Sequence, residues 1–155
     1  MLTLIVAVVM ALGISFLCSL TEAVLYSVNW SYIETLRQSG SKAGQRLFKL
    51  REDVDQPITA ILTVNTVANT AGASVAGASA VAVFGQDSLL YFSIIFTILV
   101  LLLSEIIPKT IGVMYNKGIS IFLAGPLYFL VVILKPVIKA ISLLVSFIHR
   151  KKQSP

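Results

Sequence analysis

The chain has 155 residues, of which 57% are hydrophobic and only 12% charged, with a mean hydropathy of +0.91. A soluble domain carries about a quarter charged residues, so an ordinary cytosolic enzyme and a disordered chain are excluded, and a single cysteine and a single histidine frame neither an internal disulfide nor a zinc site. The 12 Lys and Arg outnumber the 7 Asp and Glu, but the basic residues lie between apolar runs, where they orient a membrane protein rather than bind nucleic acid.

The first predicted element covers residues 2–28. Met1 to Thr21 carry no charge, and no Lys or Arg precedes the run, so it reads as a retained membrane span and not as a cleaved signal. Cys18 within it reads as a packed thiol. Residues 31–56 form a cytosolic helical pair: Ile33, Leu36, Leu47 and Leu50 recur at near-helical spacing around Gly40 and Gly44, and the mixed charges form a solvated face. A second span is expected over 57–84 and a third over 88–109. The last region, 119–150, is apolar but interrupted by Pro126, Lys135, Pro136 and Lys139, so it reads as a broken helical belt, re-entrant or lying along the inner interface.

The predicted fold class is therefore an all-α integral membrane domain over 1–155: three transmembrane helices, a cytosolic helical pair and a broken juxtamembrane belt. Arg37, Lys42, Arg46, Lys49 and Arg51 place the 31–56 segment in the cytosol, as does the run His149 to Lys152 for the C-terminus, while residues 84–88 hold no Lys or Arg and belong outside. An N-terminus outside and a C-terminus inside require an odd number of crossings, which three spans satisfy.

Polar residues within the spans require a reason, since each ionisable group costs about 2.5–3.5 kcal/mol on insertion scales. Ser15, Ser19, Glu22 and Tyr26 share one face of the first span. Asn65, Asn69 and Gly72 share a face of the second, with Thr66 and Thr70 beside them, and Ser104 and Glu105 close the third, one turn before Pro108 and Lys109. All three groups fall in the inner half of the bilayer. Pro108 has no N–H, which deprives the Ser104 carbonyl of its helical partner next to the Glu105 carboxylate. An oxygen-only inventory of this kind suits a hard cation. The same residues also serve as interhelical glue: Asn65 and Asn69 bonding across helices, Glu22 pairing with Lys109, Ser19 bonding its own backbone. A further stripe of small residues, Ala68, Gly72, Ala76 and Ala80, suits close helix approach, either within one subunit or between two copies. An enzyme is not expected, for no Gly-x-Ser-x-Gly elbow or pair of intramembrane aspartates occurs.

At these residues the chain resembles the transmembrane domain of the CorC/cyclin-M (CNNM) family of magnesium transporters. The matching stretches are Ser19-Leu20-Thr21-Glu22-Ala23 through Ser27, Leu62-Thr63-Val64-Asn65-Thr66-Val67-Ala68-Asn69, and Glu105-Ile106-Ile107-Pro108-Lys109-Thr110, in that order across nearly the whole chain. The resemblance implies a homodimer in the cell (plasma) membrane and outward Mg²⁺ transport coupled to Na⁺. It implies Ser19, Asn65 and Glu105 as Mg²⁺ ligands, with the Gly112 carbonyl as a further donor. Ser15, Glu22, Ser27, Thr66, Asn69, Ser104, Pro108 and Lys109 become supporting or coupling-ion residues. Ser104 departs from the glycine common at that position, a change expected to alter packing. The cytosolic nucleotide-binding CBS domains usual in the family are expected to lie outside this chain.

Overall fold

The computed structural model describes the backbone of residues 1–152 and the side chains of residues 1–144, and the side chains of the basic run His149 to Lys152 lie outside it. Only helices and short turns occur among the described residues. The helices are α1 (Leu2–Ser27), α2 (Trp30–Gln38), α3 (Lys42–Glu52), α4 (Asp55–Phe84), α5 (Ser88–Leu99), a π-helical stretch (Val100–Ile106), α6 (Ile107–Met114) and α7 (Asn116–Lys152). Among the described residues four stretches are long and apolar enough to cross a membrane: α1, α4, α5 through α6, and the Asn116–Leu144 part of α7.

Turn chemistry sets the breaks. The Asn29 side chain accepts the Ser31 N–H at 3.0 Å and starts α2, and the Ser41 hydroxyl accepts the Gly44 N–H at 3.4 Å and starts α3. Gly40 (φ 78°) and Gly85 (φ 88°) take the left-handed backbone that ends α2 and α4.

α1 is the central element. α4 packs antiparallel to it: Leu4 clusters with Ala76 and Ala80, Ala11 lies against Gly72, and Cys18 clusters with Ile61. The third span packs parallel to it: the Ser104 hydroxyl donates to the Leu12 carbonyl at 3.0 Å, and Gly112 lies against Leu20 and Ala23. A Cβ on Gly112 would stand 2.9 Å from the Leu20 oxygen and 2.9 Å from the Ala23 Cβ, so the glycine sets the helix separation. Outer faces of α1, α4 and α5 are covered with exposed Val, Leu and Ile, as a lipid-facing surface requires.

The α2–α3 pair and α7 form a layer at the end of the bundle that holds the C-terminus of α1 and the N-terminus of α4. Val28, Ile33, Leu47 and Ala124 make one core; Cys18, Leu25, Leu50, Ala60, Ile61, Leu127, Val131 and Ile138 make another. The Arg51 guanidinium donates to the Leu25 carbonyl at 2.7 Å, which gives α1 the cationic C-terminal cap its own last turn lacks.

Two sequence expectations change here. The last region is not broken: α7 runs as one helix through Pro126 and Pro136. Both prolines sit on its exposed side, so their rings and the carbonyls they leave unpaired stay clear of the buried face of Leu123, Leu127, Val131 and Ile138. The third span is not a plain α-helix either, because its middle winds as a π-helix in which the Ile107 N–H reaches back to the Leu102 carbonyl.

Candidate metal centre

The two registers against α1 fix what lies at one level. Leu4 meets Ala76 and Ala80, Ala11 meets Gly72 and Cys18 meets Ile61, which brings Ser15 and Ser19 level with Asn69 and Asn65. On the other flank, Leu12 meets Ser104, Glu22 meets Lys109, and Leu20 and Ala23 meet Gly112. Ser15 and Ser19 are thereby level with the stretch from Glu105 to Pro108. Ser15 and Ser19 are 0% and 1% exposed. Their hydroxyls and the Asn69 Oδ1 are buried without a hydrogen-bond partner among the described residues. A buried oxygen without a partner is costly and calls for one.

Glu105 belongs to an ionic cluster. The Lys109 ammonium stands 3.4 Å from a Glu105 carboxylate oxygen and 3.4 Å from one of Glu22, so it bridges the third span to α1. The pairing of Glu22 with Lys109 that the sequence allowed is thus present, and Glu105 joins it. The Asn69 amide donates along its own helix to the Asn65 Oδ1 at 3.4 Å, which orients both side chains. No group of three or more His, Cys, Asp or Glu occurs among the described residues, so any cation here would be held chiefly by hydroxyl, amide and carbonyl oxygen.

Other expected site residues do different work. Thr66 is exposed on the outer face of α4 and its carbonyl accepts the Thr70 hydroxyl, which removes it from the Asn65 face. The Ser27 hydroxyl is bonded back to the Ala23 carbonyl at the very end of α1. Ser104 is fully buried and binds α1 through the Leu12 carbonyl, a packing role. Pro108 is buried at the restart of the α-helix after the π-turn. The small-residue stripe is consumed within the chain: Ala76 and Ala80 are fully buried against α1 and α5, and Gly72 abuts Ala11. Of the two readings of the stripe, packing within one subunit describes Gly72, Ala76 and Ala80, and Ala68 is half-buried.

Sequence reasoning missed the π-turn. Its only signal was Pro108, which marks a disturbed ladder without saying that an extra residue is accommodated upstream.

Residues 5–154 match the family described as the cyclin M transmembrane N-terminal domain. The chain belongs to that family. Among curated relatives, a UPF0053 protein from Synechocystis sp. is 33% identical over 98% of this chain and 44% of its own length. A UPF0053 protein from Haemophilus influenzae is 27% identical over 88% of this chain and 32% of its own. A chloroplastic DUF21 domain-containing protein from Arabidopsis thaliana is 30% identical over 86% of this chain and 20% of its own. This cyclin M domain thus spans less than half the length of these relatives. Together with the apolar helices, the match makes the chain an integral membrane protein.

Proposed function

We propose that this cyclin M domain carries Mg²⁺ across the plasma membrane, outward and coupled to Na⁺, through a dehydrating site in the inner half of the bilayer. The observation that carries the reading is the set of buried unpartnered oxygens of Ser15, Ser19 and Asn69, level with Glu105 and the π-turn. Ser19, Asn65 and Glu105 are the side-chain ligands and the Gly112 carbonyl a further donor. Glu105 supplies formal charge; the neutral oxygens replace water that Mg²⁺ surrenders reluctantly. Irregular helix at membrane depth suits such a role, since it re-aims side chains and backbone at an ion.

The orientation follows the charge pattern, with the N-terminus outside and the layer of α2, α3 and α7 at the cytosolic face. In support, the buried face of α7 shares its clusters with the last turns of α1 and the first turns of α4, whereas the opposite ends of α1 and α4 pack with α5. α7 then lies across the bundle end as a belt, and three helices cross. The protein acts as a homodimer, by a face other than the small-residue stripe.

Calorimetric titration with Mg²⁺ is the test: binding to the wild-type chain and its loss in Glu105→Gln is expected, and equal affinity in the two would overturn the assignment. A second reading, a membrane anchor that transports nothing, draws on the Lys109–Glu22 ion pair as interhelical glue. Mg²⁺ flux in proteoliposomes separates the two, as an anchor gives none.

A further inference from the structure

We propose that Lys109 is a tethered counter-cation of the ion site: without a bound ion its ammonium holds Glu22 and Glu105 together, and an entering ion must displace it from Glu105, which sets the charge the site accepts. This deepens the magnesium reading and rests on it.

The geometry gives Lys109 this place. Its ammonium is equidistant, at 3.4 Å, from carboxylate oxygens of two different helices. Glu105 lies one turn before it on the same span and Glu22 faces it from α1, so a shift of the long side chain moves the ammonium wholly to Glu22 without moving the backbone. The backbone is held independently: Pro108 is buried and Gly112 is locked against α1. The Lys109 side chain is 44% exposed and those of Glu22 and Glu105 are 22% and 32%, so these pairs are weak enough to exchange. Glu22 and Lys109 lie beyond Ser15 and Ser19 toward the C-terminal end of α1, the cytosolic end in the proposed orientation, so the cluster stands at the mouth of the route inward.

Charge then discriminates. A monovalent ion that replaces the ammonium at Glu105 exchanges one unit of charge for another and gains no Coulombic attraction, while it loses hydration. A divalent ion brings twice the charge to the same carboxylate, and Lys109 stays behind to neutralise Glu22. Lys109 is in this sense a specificity residue and not a ligand.

Calorimetry on the purified full chain tests it, with Mg²⁺ titrated into the wild type, Lys109→Gln, Lys109→Arg and Glu22→Gln. Lys109→Gln should bind Mg²⁺ about two- to fivefold more tightly, the span of a weak ion pair lost to competition, and its binding should become sensitive to added Na⁺ at constant ionic strength. Lys109→Arg, which keeps the cation, should not tighten. Glu22→Gln leaves Lys109 only Glu105 and should weaken Mg²⁺ several-fold; this arm decides the matter should Lys109→Gln fail to fold. Unchanged or weaker affinity in Lys109→Gln, or unchanged affinity in Glu22→Gln, overturns the proposal. A wild-type chain that takes up no Mg²⁺ overturns the magnesium reading itself, so the two failures are told apart.

Discussion

At the scale of single residues, buried oxygens fall into two kinds in this protein, those with a partner and those without. The Ser104 hydroxyl has the Leu12 carbonyl at 3.0 Å; the hydroxyls of Ser15 and Ser19 have no partner among the described residues. A partnered hydroxyl is a structural bond, so Ser104→Ala should lower stability by about 1 kcal/mol and leave Mg²⁺ affinity unchanged, as thermal unfolding and calorimetry on one preparation will show. Ser19→Ala should do the reverse, because it removes an orphaned oxygen: stability holds or rises while Mg²⁺ affinity falls. The Arg51 guanidinium on the Leu25 carbonyl is a third case. Arg51→Met removes the cap of α1 and should cost about 1–2 kcal/mol, read from the thermal midpoint.

At the scale of elements, the third span is the unusual one. A π-turn holds an extra residue in an otherwise α-helical rod, and here it separates α5, which is seated through Phe92 on Leu4, Ala76 and Ala80, from α6, which is seated on α1 through Gly112. Deletion of exposed Leu101 should convert the stretch to regular helix with both seats kept in register, so that only the irregular backbone around Glu105 is lost. The expected outcome is loss of Mg²⁺ binding with cooperative unfolding kept; a variant that keeps both would show that the π-turn is dispensable.

Much of this was legible beforehand, and the reasons differ by element. α1 and α4 announced themselves as long uncharged runs, and the helical pair as Ile33, Leu36, Leu47 and Leu50 at near-helical spacing around Gly40 and Gly44. Ser15, Ser19, Asn65 and Glu105 stood out because polar groups are rare in hydrocarbon. Thr66 adjoins Asn65 in sequence but is turned from it on α4 by the 100° step of one residue, to an exposed position. The continuity of α7 misled because a proline rule calibrated on the loss of one hydrogen bond does not say which side of the helix the proline faces. The use of the alanine–glycine stripe inside the subunit was one of two readings that composition alone left equal; only the register of α4 on α1 decides between them.

At the scale of the whole molecule, the lie of α7 sets the number of crossings. In a Cys18→Ala background, Gln86→Cys should react with an impermeant maleimide from outside intact cells and Gln45→Cys only after permeabilisation. Asn116→Cys and Ser142→Cys mark the two ends of the apolar part of α7. If α7 lies along the inner face, both label from the cytosolic side alone; labelling from opposite sides would make it a fourth crossing and reverse the fate of the C-terminus.

The grip of Arg51 on the last turn of α1 has a mechanical meaning. α1 is the rod that bears Ser15, Ser19 and Glu22, and its terminal carbonyl at Leu25 is clamped by α3, whose Leu50 shares a core with Leu127 and Val131 of α7. A push or pull delivered to the layer at the bundle end is therefore not absorbed by a slack joint. It travels as a displacement of the rod, and the oxygens it carries shift with it relative to Asn65 and Glu105 on either side.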